Sequence, residues 1–414
     1  MFRRISAYLR PHLETVYLTV FAVYLASVTI NTTTFFSYYP HRVATIIQLL
    51  TAGLMLAKIV FFDELTTKQI MAEMSLLSLV LIVTLISSAH YLVTTVLLVM
   101  AARGINFRRI LKTYLGIVGG ILLVAFIAAM LGIIQNITFV TEDGVRQSFG
   151  VVYTTDFAAH IFYLSCVYLY LKARRFELLD LVPVLFGLWV IYHYTQTMTD
   201  TIAMIVLIVT FMGYIYRRQL SKIKVIITSL RYYFLALPVI TILIVWLTAV
   251  FDFNDKILRT LNDLLSTRLA LGNNGLLAYG VKLFGQPWIP MNGWGGDRST
   301  MVNAGIGEVT YFFIDSSFLN MLISYGLLLT LAIIIGLSFF LYLRTKQNDY
   351  LLPTIFLAIA IASAFDQHFL EVTYNVFFLA VFAELPHYRT LIGPRFDRPV
   401  VYQRKFNEMK ALWE

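Results

Sequence analysis

Three side chains have types that suit the handling of an anionic group, and two of them lie where apolar stretches of the chain end. Arg268 lies in a long polar stretch, Asp315 precedes an apolar segment and His368 follows one. A guanidinium can hold two phosphate oxygens at once. A histidine or a carboxylate can accept a proton from a hydroxyl. These three are the candidate catalytic residues, with a salt bridge, a helix cap and an interfacial polar side chain as their structural alternatives.

Three further basic residues could bind phosphate with lower priority: Arg146, Lys282 and Arg298. Arg298 lies in the stretch 291–307, which contains five glycines. Glycine-rich backbone near basic groups can cradle phosphate, although most such stretches only turn the chain. The sequence contains no metal-ligand spacing and no nucleotide-binding loop, so it predicts no cofactor and no metal.

The composition predicts a membrane protein. Of 414 residues, 59% are hydrophobic and 13% charged, with a mean hydropathy of +0.76. A soluble domain could not cover so much apolar surface with so few charges. Apolar runs of about 20 residues recur, which is the length of a membrane-spanning helix. The one cysteine, Cys166, excludes a disulfide within the chain. The net charge of +9 is explained by topology rather than by nucleic acid binding.

The sequence predicts an all-α, polytopic membrane helix bundle of about twelve spans, with eleven as the alternative. Arginine and lysine clusters fall mostly in alternate connections, and this pattern places both termini in the cytoplasm and the chain in the cytoplasmic membrane. Asp156 and His160 lie at the top of the sixth span, and Asp200 is interpreted as part of a structural turn. The predicted spans are 14–34, 43–62, 70–87, 88–102, 111–134, 152–171, 180–197, 200–216, 232–250, 317–343, 350–366 and 374–386.

The chain is interpreted as one membrane domain, 1–414, in which residues 251–316 form a long, partly helical loop outside the cytoplasm before the third-last span. A helix is predicted over 255–271, capped by Asn254 and closed at Gly272. In a continuous helix, Arg268 would fall inside the apolar stripe, which predicts that it points into a cavity and meets an anion there. The alternatives are a structural salt bridge, or a helix that has already ended by that residue. This loop is the predicted active site.

Several short motifs in and around this loop resemble those of a known enzyme family. An Arg-x-Ser-x-Gly element begins at Arg146, and Leu-x-x-Leu-Leu-Ser-x-Arg-Leu-x-Leu-Gly spans 261–272. Leu-Phe-Gly follows at 283–285, and Asp-Ser-Ser at 315–317. In this order the motifs are similar to those of Wzy-type polymerases of capsule and exopolysaccharide, which are related to the O-antigen ligases.

The resemblance implies a glycosyltransferase that joins oligosaccharide repeat units carried on undecaprenyl pyrophosphate, at the outer face of the membrane and without a metal. It further implies membrane lipid as a partner, and a flippase and a chain-length regulator of the same pathway. Arg268 would be the main candidate to hold the pyrophosphate, with Arg146, Lys282 and Arg298 as lesser candidates. His368 or Asp315 would serve as the base or orient the acceptor.

Two other functions stay open. An O-antigen-ligase-like enzyme would use the same donor but pass a finished glycan to another acceptor. A flippase or other transporter would suit twelve spans, although transporters keep their charged site near the bilayer midplane. The polar residues here gather at the predicted outer boundary instead.

Overall fold

The computed structural model describes residues 12–141, 144–222, 228–291, 293 and 312–385. It is 74% helical and nearly all-α. Its helices are α1 Leu13–Thr32, α2 His41–Phe62, α3 Thr67–Ser87, α4 Tyr91–Ala101, α5 Phe107–Met130, α6 Thr154–Lys172, α7 Val182–Val190, α8 Met198–Ile215, α9 Ala236–Ala249, α10 Lys256–Leu264, α11 Arg268–Tyr279, α12 Ser317–Asn320, α13 Leu327–Lys346 and α14 Leu351–Ser363.

Seven helical segments among these residues are long and apolar enough to cross a membrane. They are α1, α2, α3, α5, α8, α13 and the stretch Leu178–Thr195, which contains α7. Large apolar side chains on these helices remain exposed, as expected for surfaces that face lipid. The chain therefore fits a multi-pass membrane protein, while the count of twelve spans stays a prediction.

Side-chain caps fix where several helices begin. Thr66 and Gln69 form a reciprocal capping box at the start of α3. The Asn106 side chain accepts hydrogen bonds from the backbone N–H groups of Arg108 and Arg109 at the start of α5. These caps satisfy donors that would otherwise be unpaired at the helix ends.

The connection between the predicted fifth and sixth spans contains a β-hairpin, which the all-α prediction does not include. Strands β1 Thr138–Thr141 and β2 Gly144–Gln147 pair antiparallel, with Phe139 opposite Arg146. Four-residue strands without regular apolar alternation give little sequence signal. The hairpin lies between α5 and α6, at the end of the bundle where α10 and α11 also lie; we call this the loop end.

The segment predicted as the twelfth span is not a long helix. Residues 364–385 contain only short 3₁₀ turns, His368–Leu370 and Val376–Val381. The Glu384 N–H donates to the Ile105 carbonyl at 2.8 Å, and the Tyr114 hydroxyl donates to the Thr373 carbonyl at 2.9 Å. The segment thus passes from the end of α14 to the α4–α5 junction, buried among the helices. Irregular backbone is tolerated at membrane depth where protein surrounds it.

The predicted tenth span is also interrupted. Its first turn is α12, which continues as a π-helical turn, Met321–Tyr325, and breaks at Gly326 before α13 begins. Backbone of the loop 280–291 docks against this break: the Leu327 N–H donates to the Lys282 carbonyl at 2.9 Å, and the Gln286 N–H donates to the Ser324 carbonyl at 3.1 Å. The long loop is therefore fixed to the start of α13.

We expect Gly326→Ala to destabilise the protein strongly. Gly326 has φ +89, and a Cβ there would overlap the backbone nitrogen of Gly285. Strain of this kind costs roughly 3 kcal/mol or more, and it should lower the Tm of the purified protein. Gly336→Ala is the matched control, because nothing lies within 4 Å of its Cβ position in α13. Equal Tm values for the two variants would contradict this docking.

Candidate functional site

The predicted helix over 255–271 is wrong as a single element. The Asp255 side chain, not Asn254, caps α10 by accepting from the Ile257 and Leu258 N–H groups. The helix ends at Leu264, and Ser266 and Thr267 take left-handed φ values of 52° and 65°.

A buried side chain stabilises this break. The Asn262 amide oxygen accepts the Ala270 N–H at 2.9 Å, and its backbone carbonyl accepts the Thr267 N–H at 2.8 Å. Arg268 is therefore the first residue of α11 and not part of the apolar stripe of α10. Gly272, predicted to close the helix, lies within α11, where a Cβ would press on Leu319 and Thr248.

Arg268 lies in a polar site, where it forms the salt bridge that was its structural alternative. Its Nε donates to the Phe365 carbonyl at 2.8 Å and lies 3.6 Å from Oδ2 of Asp315. Its Nη1 donates more weakly to the Leu265 carbonyl at 3.3 Å. The side chain is 12% exposed. Arg268 thus connects α11 to the segment that follows α14 and to Asp315, two residues before α12.

The structural alternative for Asp315 was a helix cap. Asp315 does not cap α12, because Ser316 occupies the N-cap position. The next residue, Ser317, connects α12 to the turn that follows α14. Its hydroxyl donates to the Asp366 carbonyl and accepts the Phe369 N–H at 3.1 Å. The Ser317 N–H also donates to the Asp366 carbonyl at 3.1 Å. These bonds hold Asp366 beside the Arg268–Asp315 pair.

His368 lies at the centre of a group of carboxylates. Its Nε2 is 3.4 Å from carboxylate oxygens of both Asp156 and Asp366, and its Nδ1 is 3.5 Å from Glu371. The ring stacks on Tyr374 with the centroids 3.6 Å apart. Only 3% of the side chain is exposed. Ring stacking and the surrounding acids therefore fix the orientation of His368.

A second histidine extends this arrangement into α6. The His160 ring also stacks on Tyr374, with the centroids 4.1 Å apart. Its Nε2 lies 2.9 Å from the Thr32 hydroxyl of α1. We call the set of acids and histidines around these two rings the acid–histidine cluster; its members are Asp156, His160, Asp200, Asp366, His368 and Glu371.

Asp200 belongs to this cluster and was wrongly assigned to a structural turn. It lies in the first turn of α8, is 4% exposed and interacts electrostatically with Arg268 and His368. The sequence signal was an acidic residue at the mouth of an apolar span, which is rare without a partner or a function.

The cluster changes the protonation of its two central groups. Burial alone would lower the pKa of His368, but Asp366, Glu371 and Asp156 raise this pKa well above its ordinary value. Burial raises the pKa of Asp366 above its ordinary value, with His368 and Arg268 opposing the rise and nearby carboxylates adding to it. His368 is therefore stabilised as a cation, and Asp366 keeps its proton to a higher pH than an exposed aspartate does.

Exposure separates the two residues as candidates for a base. The Asp366 side chain is 14% exposed, whereas His368 is 3% exposed and already cationic. A general base must reach the proton that it takes and have a pKa near the working pH. Asp366, which sequence reasoning did not single out, meets both requirements better than His368.

Of the three lesser basic candidates, the structure describes Arg146 and Lys282. The Nε of Arg146 donates to the Thr195 carbonyl at 2.7 Å, which ties the β-hairpin to the π-helical turn Ile191–Thr195. The Lys282 side chain is exposed and makes no hydrogen bond or ion pair with the described residues. Arg298 lies outside the described residues. Arg146 therefore has a structural contact, while the phosphate roles of Lys282 and Arg298 stay predictions.

The site is richer in acid than the sequence suggested. Among the described residues, five carboxylates, those of Asp156, Asp200, Asp315, Asp366 and Glu371, lie around two cations, Arg268 and His368. A phosphate that approaches Arg268 must therefore compete with Asp315 and avoid the interior carboxylates. We therefore expect a phosphate to approach Arg268 from the partly exposed side of the guanidinium, where it can compete with Asp315 and avoid the interior carboxylates.

Comparisons with protein-family models, with curated proteins and with solved structures find no match.

Proposed function

We propose that this protein polymerises lipid-linked oligosaccharides: it transfers a glycan from undecaprenyl pyrophosphate to a hydroxyl of a further repeat unit, as Wzy-type polymerases do. The observation that carries the proposal is the meeting of Arg268, Asp315 and Asp366 at the loop end. Arg268 can bind an anionic leaving group, and Asp366 can take a proton from a hydroxyl.

In the proposed step, the acceptor hydroxyl oxygen forms a bond to the anomeric carbon of the donor while the bond from that carbon to pyrophosphate breaks. The hydroxyl proton passes to the Asp366 carboxylate. The lipid pyrophosphate leaves with the bonding electron pair, and Arg268 stabilises its growing negative charge. The donor is already activated, so the step itself consumes no nucleotide.

Asp315 and His368 have supporting roles in this proposal. Asp315 lies 3.6 Å from the Arg268 Nε and orients the guanidinium. Cationic His368 lies 3.4 Å from the Asp366 carboxylate and favours its ionised form once a hydroxyl is in place. We therefore assign the base to Asp366, where the sequence favoured His368 or Asp315.

The same proposal places the donor in the outer leaflet of the cytoplasmic membrane and both chain termini in the cytoplasm. The leaflet follows from the charge pattern of the connections, which puts the loop end outside. A flippase that delivers the donor and a chain-length regulator would act in the same pathway.

A second function, proton-coupled transport of a lipid-linked saccharide, is favoured by one observation. Buried acids and histidines among membrane helices are typical of proton relays, and the acid–histidine cluster is of this kind. The position of the cluster at the ends of α6 and α14, rather than midway along them, favours the polymerase.

Deleting the chain from its host distinguishes the two. The lipid-linked saccharides of the deletion strain would be extracted, sized and assigned to a leaflet with a membrane-impermeant reagent. A polymerase predicts single repeat units on the outer leaflet and no polymer. Units confined to the inner leaflet would identify a transporter and contradict the proposal. Polymer of normal length that stays on its lipid carrier would identify a ligase.

A further inference from the structure

A cavity lies at the end of α6 opposite to the acid–histidine cluster. It has a volume of about 390 Å³ and is lined by Arg108, Leu171, Lys172, Arg174 and Arg175. About 24 Å of helix separate Asp156 from Lys172, at 1.5 Å per residue. The cavity is therefore a separate feature, and four of its five lining residues are cationic.

Arg108 has an unsatisfied donor at this cavity. Its Nη2 donates to the Leu171 carbonyl at 2.7 Å. Its Nη1 is buried and has no hydrogen-bond partner among the described residues. A buried N–H without an acceptor is costly, and a ligand oxygen that met this Nη1 after a small movement of the side chain would remove that cost.

The nearby carboxylate of Asp180 offsets the charge of only one of the four lining cations, Lys172. Asp180 lies 2.7 Å from the Lys172 Nζ and also accepts hydrogen bonds from the Tyr168 hydroxyl and the Glu177 N–H. Its charge is thus committed to Lys172 and to the turn before α7. The charge-topology pattern explains why basic residues gather at this end, but it explains neither the cavity nor the unpaired Nη1 of Arg108.

We propose that this cavity binds the phosphate of an anionic lipid headgroup. The cavity opens where the apolar helices α5 and α6 end, which is the level at which headgroups lie. Guanidinium groups bind phosphate oxygens in pairs, and basic pockets between membrane helices suit anionic lipids. The inference is independent of the function proposed for the loop end.

Lipid binding to the full-length protein, purified in a neutral detergent, tests the proposal. Native mass spectrometry would count phosphatidylglycerol and phosphatidylcholine bound at equal concentrations, with inorganic phosphate added in a separate arm. We expect a preference for phosphatidylglycerol in the wild type. Each cation removed should weaken that binding about fivefold, so the double variant Arg108→Gln/Arg175→Gln should lose roughly 25-fold.

Two variants keep the test valid if the double variant folds poorly. Arg175→Gln alone changes an exposed side chain and should give about a fivefold loss. Lys112→Gln removes the same charge from an exposed position of α5 that does not line the cavity, and it should bind like the wild type. Wild-type affinity in Arg175→Gln and in the double variant would overturn the proposal. So would equal binding of both lipids, or displacement of the lipid by an equal concentration of inorganic phosphate.

Discussion

Arg268→Ala is expected to abolish polymer formation, with a loss of at least about 10²–10³ in the rate of glycosyl transfer, as for the removal of one charge-stabilising donor elsewhere. The guanidinium is the partly exposed cation that reaches the site, and its Nε is already oriented by the Phe365 carbonyl and Asp315. Arg268→Lys should also be poor, because an ammonium cannot make two parallel bonds to phosphate oxygens. The measurement is the length distribution of polymer in a strain that expresses each variant.

Arg259→Ala is the matched control, since Arg259 lies on the exposed face of α10 in the same loop. It should give polymer of normal length at normal protein level. If Arg268→Ala made polymer as the wild type does, the assignment of the pyrophosphate site would be wrong. If Arg268→Ala were absent from the membrane, Arg268→Lys would carry the test, because it keeps the positive charge beside Asp315.

The second large effect concerns the proton acceptor. Asp366→Asn should lower the transfer rate by about 10²–10⁴, the usual contribution of general acid–base catalysis. Because burial raises the pKa of Asp366 above its ordinary value, and because only the ionised carboxylate can take a proton, the wild-type rate should rise with pH above the range in which an exposed aspartate titrates and then level off. Asp366→Asn should remove this rise as well as lower the rate.

His368→Gln should act differently from Asp366→Asn. Loss of the cation 3.4 Å away makes ionisation of Asp366 harder, so the rise in rate should move to higher pH and not disappear. Asp263→Asn, on the exposed face of α10, is the control and should keep the wild-type pH profile. A pH profile in Asp366→Asn that matches the wild type would exclude Asp366 as the base.

The long helices could be predicted from the sequence because apolar length is a strong signal. Seven of the predicted spans lie in long apolar helices of the structure. The last segment could not be predicted in this way. Residues 374–385 are as apolar as a span, yet tertiary contacts such as that of Glu384 with Ile105 fix them in a non-helical form. Hydropathy reports burial from water and does not distinguish lipid from protein as the surroundings.

The long loop shows a second limit of sequence patterns. The continuous helix over 255–271 has good caps and an apolar stripe, but the structure breaks it at Ser266 and Thr267. The cause is the buried side chain of Asn262, whose bonds to residues several positions ahead have no signature in a periodic pattern. The apolar stripe that singled out Arg268 is therefore not supported by the structure. Arg268 nevertheless lies beside Asp315, where we propose that the pyrophosphate binds.

The candidate site was predictable in part. Residue type at a span boundary identified Asp315 and His368, and the helical pattern of the loop singled out Arg268. The structure places Arg268 beside Asp315 and His368 beside Asp366. The role of Asp366 could not be predicted, because it depends on burial and on charges contributed by α6 and α8. Only the fold brings these groups, far apart in the chain, around one histidine.

Reconstitution of the purified protein tests the proposed polymerase activity. Vesicles that contain the protein would be supplied with a synthetic undecaprenyl-pyrophosphate-linked repeat unit, and the products would be sized and released undecaprenyl pyrophosphate measured. We expect polymer and one released lipid pyrophosphate for each linkage formed, with neither product from Arg268→Ala. Movement of the intact lipid-linked unit between leaflets without release of pyrophosphate would contradict the polymerase activity.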